Sequence, residues 1–266
     1  MIRRSRLLAA HTILVYLFLW VPIAVLAVFS FNAGRQTAVW RGFTLDWYRR
    51  LLADDALLAS VRNSLAAAAL TTVLATVLGT LAALALRRTD VDLQGARGAT
   101  LALLLLPMVL PEVVLGAALL TFFGTVGLRL SLATVVIAHV VFSVPYVTLV
   151  VRARLAGLDP ALEEAARDLG AGPVETFRRV TLPLILPGIA ASALLVFTLS
   201  IDDYVVTSFV AGVGSTTLPL HVYSMLRVGV TPEVNAVSTL LLAGTIGWIV
   251  AAQRLLRGSS PEGDRE

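Results

Sequence analysis

The chain has 266 residues, 58% hydrophobic and 14% charged, with a net charge of +4, a pI of about 10.1 and a mean hydropathy of +0.86. A soluble domain of this length is excluded, and the bilayer becomes the main solvent. With no cysteine there are no disulfides, thiolate metal sites or cysteine nucleophiles. The basic residues sit at the ends of apolar runs, so anionic headgroups, not nucleic acid, are their expected partner.

A membrane-crossing helix needs about 20 mostly apolar residues. Six such runs occur, from about Leu7 to Phe31, Ala59 to Leu86, Ala99 to Phe123, Ser131 to Val151, Leu184 to Val210 and Val234 to Gln253. All are expected to be helices, since lipid offers an open strand edge no partner. The fold class is therefore all-α, a polytopic membrane protein with six transmembrane helices in a single domain over residues 1–257. The tail 258–266 is polar and expected to be disordered. The first run follows Arg3, Arg4 and Arg6 and is longer than the apolar core of a secretory signal, so it is read as a retained anchor.

Arginine fixes the expected orientation, because the chain has no lysine. One side carries Arg3, Arg4, Arg6, Arg87, Arg88, Arg97, Arg152, Arg154, Arg167, Arg178, Arg179, Arg254, Arg257 and Arg265. The other carries Arg35, Arg41, Arg49, Arg50, Arg62, Arg129 and Arg227. The richer side is cytoplasmic, which places both termini inside the cell. The first outer loop holds Trp40, Phe43, Trp47 and Tyr48, suited to anchoring at the interface or to docking a receptor. In the third run, Pro107 and Pro111 predict a helix kinked or broken at mid-membrane, the kind of helix that lines a cavity.

The longest cytoplasmic connection, 152–183, carries LDPALEEAARDLGAGPVETFRRVTLPLILPG from Leu158 onward. Asp159 is a natural N-cap, Pro160 suits the first helical position, Glu163 and Glu164 fall where the dipole favours anions, and Gly170 is a stop. Leu158, Leu162, Ala165 and Leu169 form an apolar stripe on this helix. A second short helix is expected from Pro173, presenting Phe177 and Val180, before Pro183 and Pro187 turn the chain into the fifth run.

This segment resembles the EAA signature of ABC-importer permeases: Glu164, Ala165 and Ala166, then Gly170 after three residues, Val180 after nine more, then Leu182 and Pro183. The resemblance implies the MetI-like fold of type I importers. It also implies a coupling helix, formed by Glu163, Glu164, Ala165, Ala166, Leu169, Gly170, Leu182 and Pro183, that inserts into a separate ATPase. That subunit would bind ATP and Mg; this chain is expected to hold no cofactor, metal or catalytic site. In keeping with that, it has no GxxxxGK[ST] phosphate loop, no G-x-S-x-G and no HExxH.

Charges inside apolar runs are costly and need a reason. Glu112 follows Pro111 in the third run, and Asp202 and Asp203 interrupt the fifth. Each has a structural reading, as a first-turn residue or a solvated helix end, and a functional one, as counter-charge to a cation. The stretches FTLSIDDYVVTSFVAG and TLPLHVYSMLRVGVTPEVNAVSTLLL, with NSL at Asn63 to Leu65, resemble spermidine/putrescine permease subunits of the PotC type. This resemblance implies that Glu112, Asp202, Asp203 and Tyr204 belong to a polyamine pathway, with Phe209 and Tyr223 as further candidates for cation–π contact. His139 is expected to be a hydrogen-bonded bundle residue. The implied partners are a second permease in a heterodimer, two ATPases, an outer substrate-binding protein and lipid, in a bacterial inner membrane. Iron, an opine or another organic cation are alternative solutes. A secondary transporter working without ATP would need inverted repeats and no coupling helix, and the sequence points the other way on both counts.

Overall fold

The computed structural model describes residues 2–34, 39–88, 94–229 and 231–258. Arg35, Arg265 and the expected tail beyond Gly258 lie outside the described residues. Among the described residues twelve α-helices follow one another: α1 (Ile2–Phe29), α2 (Asp46–Leu52), α3 (Asp55–Arg88), α4 (Gln94–Val109), α5 (Glu112–Thr125), α6 (Leu132–Ala156), α7 (Pro160–Asp168), α8 (Pro173–Thr176), α9 (Leu182–Asp202), α10 (Val205–Val210), α11 (Leu218–Val228) and α12 (Pro232–Gly258). Among the described residues the β contact is an isolated bridge between Asn32 and Phe43. Segments Leu8–Phe29, Asp55–Arg87, Leu132–Ala156 and Pro173–Asp202 are each long and apolar enough to cross a membrane, and α4 with α5 makes a bent fifth. The sixth expected run lies within the 27 residues of α12.

The chain divides into two compact units, Met1–Leu58 with Val222–Glu266, and Ala59–His221. In the first, α1 and α2 both pack on α12. The loop after α1 is pinned by buried Asn32, whose Nδ2 donates to the Val39 carbonyl and whose Oδ1 accepts from the Arg41 amide, both at 2.8 Å. Trp47 is buried and donates its indole N–H to the Asn32 carbonyl at 2.8 Å, and the Tyr48 hydroxyl meets Ser30 Oγ at 2.6 Å. These two aromatics staple the loop internally, because a buried indole or phenol must find a polar partner. Trp40 and Phe43 stay exposed, as an interface aromatic would.

The second unit is built on α3, α6 and α9. Ala75, Gly79 and Ala83 recur every four residues on α3 and let α6 approach closely. A Cβ on Gly79 would lie 2.5 Å from Val147 Cβ, and Thr148 Oγ1 reaches the Gly79 carbonyl at 3.2 Å. At the other end of α3, Asn63 Nδ2 donates to the carbonyls of Gly214 and Thr216 at 2.9 and 3.0 Å, and Ser64 Oγ accepts from the Leu218 amide at 2.8 Å. The NSL triplet thus holds the loop after α10. At Gly212 a Cβ would fall 1.8 Å from the Leu130 carbonyl oxygen, so only glycine fits.

Three local departures shape this unit. The third run breaks after Val109, and α4 and α5 meet at 106°; Pro111, extended at φ −55° and ψ 134°, restarts the helix. The fifth run, read as continuous from Leu184 to Val210, ends at Asp202, and α10 restarts after the extended Asp203. The third departure corrects the expected turn at Pro183 and Pro187. Helix runs without interruption from Pro173 to Asp202, through a π-turn at Phe177–Thr181 in which the Leu182 amide bonds the Phe177 carbonyl. The widened turn relieves the clash of the Pro183 ring with the turn before it, so the proline is absorbed instead of breaking the helix.

Candidate functional site: a broken-helix cavity and an outward-facing loop helix

The two breaks face one cavity of about 530 Å³. Glu112, Asp202, Asp203 and Tyr204 all line it, beside Tyr146, Phe142 and the prolines of the α4–α5 break. The topology thus brings together the acids and the tyrosine singled out from the sequence. Glu112 opens the first turn of α5, where the helix dipole favours an anion. Asp202 closes α9. Both acids are exposed within this chain.

Asp203 is neither solvated nor free. Its Oδ2 accepts from the Thr207 amide at 2.8 Å and the Thr207 hydroxyl at 2.6 Å, which caps α10. The same oxygen lies 3.3 Å from Nε2 of His139, a fully buried residue of α6. His139 Nδ1 meets Ser200 Oγ at 2.7 Å, and Nε2 meets Thr207 Oγ1 at 2.9 Å. With the threonine proton committed to a carboxylate that only accepts, Nε2 must carry a proton. In a neutral ring Nδ1 then accepts from Ser200. One imidazole therefore ties α6 to the end of α9 and to α10, the bundle role expected of it. The spacing of Asp203 and Thr207 across a restarting helix was the available signal for this network.

Phe209 and Tyr223 do not line the cavity. Phe209 packs on Gly116, where a Cβ would lie 2.6 Å from its ring, and so closes α5 against α10. Tyr223 belongs to the first unit, where Arg227 lies over its ring at 5.2 Å.

The second feature is the loop helix. The Asp159 carboxylate accepts from the Ala161 amide at 2.9 Å, with Pro160 at the first turn of α7. Gly170, at φ +87°, ends the helix. Its amide donates to the Arg167 carbonyl and that of Ala171 to the Ala166 carbonyl, the paired bonds of a Schellman stop. Within the stripe predicted from the sequence, Leu158 turns inward to pack with Leu155 and Val151, while Leu162, Ala165 and Leu169 are exposed. Leu169 is 90% exposed and Val174, across the Gly170 stop, 79%. Glu164 is exposed and Ala166 half-buried. Leu182 packs in the core below, and Pro183 follows it at the start of α9.

Glu163 is turned inward. Its Oε1 accepts from Arg87 Nη1 at 2.7 Å and from the Thr181 hydroxyl at 2.6 Å, while Oε2 lies 3.8 Å from Arg167. Burial pushes its carboxyl up, but the bonds from Thr181 and Arg87 and the charges of Arg87 and Arg167 outweigh that and hold it below the usual carboxylate range.

The chain has clear relatives among known proteins. The chain is 40% identical over 93% of its length to the spermidine/putrescine transport system permease protein PotC of Haemophilus influenzae, covering 95% of that protein. It is 41% identical to the putrescine transport system permease protein PotI of Escherichia coli K12, over 90% of this chain and 88% of the relative. Among solved structures, a bacterial ABC transporter that imports the acidic polysaccharide alginate has a chain that superposes with a TM-score of 0.79, covering 98% of each chain at 18% identity. The MetNI methionine ABC transporter gives 0.62 at 21% identity, over 77% of this chain and 96% of that one; both likenesses speak to fold. Residues 76–254 match the family described as binding-protein-dependent transport system inner membrane component, and they include both breaks, the cavity and the loop helix. The chain therefore belongs to that family of multi-pass permeases.

Proposed function

We propose that this chain forms half of the translocation pathway of a polyamine importer, with spermidine or putrescine as its solute. The observation that carries the reading is the convergence of Glu112, Asp202, Asp203 and Tyr204 on one cavity between two broken helices. A polyamine is a chain of ammonium groups separated by methylenes, so carboxylates alternating with apolar wall suit it, and Tyr204 and Tyr146 offer ring faces to a cation. Its relatives of about 40% identity bear the names of spermidine and putrescine permeases, which supports the same solute.

In this reading one permease domain over 1–257 sits in a bacterial inner membrane with both termini in the cytoplasm. It pairs with a second, similar permease, two ATPases that bind ATP and Mg, and an outer substrate-binding protein. The loop with Glu163, Glu164, Ala165, Ala166, Leu169, Gly170, Leu182 and Pro183 couples it to an ATPase. Leu169 and Val174 are largely exposed and Leu162 about half exposed, and all three would be buried in the partner's groove. Docking of the loaded receptor and closure of the ATPases open the path outward, and hydrolysis resets it.

ATPase stimulation of the reconstituted complex by its receptor, loaded in turn with spermidine, putrescine and an anionic solute, tests the solute. Stimulation is expected with the polyamines, and an equal response to the anion would end the proposal. Glu112→Gln with Asp202→Asn is expected to lower uptake about tenfold or more with assembly intact.

A further inference from the structure

Glu163 and Glu164 are neighbours on α7, yet they face different surroundings. Glu164 is exposed to a partner, whereas the Glu163 side chain is 18% exposed and bonded into its own chain. Resting on the coupling-loop reading above, we propose that Glu163 is a strut that carries displacement of α7 to the pathway helices, and is not itself a contact to the ATPase.

The geometry of the loop makes such a strut necessary. No residue of α7 is fully buried, so apolar packing does not weld it to the body of the unit. Its covalent joints are compliant: Gly157 precedes it, and Gly170 and Gly172 follow it. Between α7 and the end of α3 lies a gap of about 220 Å³ bordered by Leu84, Arg87, Glu163 and Arg167, so side chains do not fill the space there. A push on α7 would be absorbed at the glycines unless something stiff crosses to the rest of the unit.

Oxygen Oε1 of Glu163 does so twice. It is bonded to Arg87, one residue from the end of α3, and to Thr181, in the π-turn that feeds α9. Charge-assisted bonds of 2.6–2.7 Å are short and directional. The two helices they reach differ in what they do: α3 packs on α6 through Gly79, and α9 ends at Asp202 on the cavity wall. One carboxylate oxygen thus joins the docking helix to both α3 and α9. Arg167, one turn further along α7, lies near the other oxygen and holds the carboxylate in place.

The test uses the whole complex, reconstituted with its partner permease, ATPases and receptor, reading solute imported per ATP hydrolysed. Glu163→Gln and Arg87→Gln are each expected to assemble at the wild-type level and to lower that ratio at least tenfold. The exchange Glu163→Arg with Arg87→Glu, which restores the link with its charges reversed, is expected to recover the ratio at least threefold over either single charge-reversal variant. Wild-type ratios in both neutral variants would overturn the strut. Loss of ATPase assembly in Glu163→Gln would also overturn it, by placing the residue on the partner contact, and absence of recovery in the exchange would reduce the pair to packing. Glu164→Arg serves as the separate control: it is expected to abolish transport-linked hydrolysis, and normal coupling there would sink the docking-helix reading without touching the internal link.

Discussion

His139 shows how a polar residue earns a place in an apolar bundle. Its ring is fully buried and meets Ser200 at Nδ1 and Thr207 and Asp203 at Nε2, so both nitrogens have partners. Replacement by leucine keeps the volume roughly but takes the Ser200 hydroxyl's ring partner away and removes one contact each from Thr207 and Asp203, which stay bonded to each other. His139→Leu is expected to cost about 3 kcal/mol, seen as a lower thermal unfolding midpoint in detergent, whereas His139→Gln, which retains a donor and an acceptor, should lose clearly less. Equal loss in the two variants would mean the hydrogen bonds contribute little. The sequence marked His139 as a bundle residue and marked the Asp202–Asp203 pair as costly. It did not reveal that these two acids have different duties. Adjacent residues of the same type read alike until the backbone turns extended at Asp203: both acids line the cavity, but the Asp202 carboxylate is left exposed there while that of Asp203 is fastened to α10.

Among the elements, the most legible were those governed by local chemistry. Asp159, Pro160 and Gly170 delimit α7 as their cap, first-turn and stop chemistry dictates, and Pro111 marks the break before α5. The less legible were those settled by packing. Pro183 and Pro187 read as a turn, yet the π-turn and the burial of Ile185 and Val196 keep the helix whole. The amphipathic pattern of α7 was also visible, but not which side of it would be covered. The exposed leucines show that the apolar stripe faces away from its own chain. Leu169→Asp is therefore expected to leave the permease folded while reducing co-purification of the ATPase by about tenfold or more. Normal recovery of the ATPase would move the docking surface elsewhere.

For the whole molecule, hydropathy alone located five of the long apolar helical segments, the third of them as a bent pair, because the cost of leaving backbone unsatisfied in lipid admits few alternatives. The cavity was not legible, since it arises only when residues 90 apart in sequence, such as Glu112 and Asp202, are folded onto one wall. Shared fold does not decide the charge of the solute: one structure of this architecture serves import of an acidic polysaccharide. Orientation can be tested directly because the chain has no cysteine to confuse the result. In the permease expressed without its ATPases, single cysteines at Val174 and Val213, both highly exposed, are expected to react with an impermeant maleimide from opposite faces, Val174 only from the cytoplasm. Labelling of both from one face would overturn the topology derived from arginine.

The π-turn ahead of α9 also sets an angular phase. Along this continuous helix the buried positions are Thr176, Thr181, Ile185, Ser192, Val196 and Ser200, a regular helical face except for the step of five at its start. On an ordinary α-helix, five residues would carry a side chain about 140° around the axis, and Thr176 would point away from the others. The wider turn keeps it in line. A chain one residue shorter between Phe177 and Thr181 would have nearly the same composition and hydropathy, yet its docking arm would be swung about 100° relative to the helix that ends at Asp202. Under the proposed function the permease would resemble a crankshaft, in which the number of residues in a single turn fixes the angle between the arm that is driven and the wall that moves.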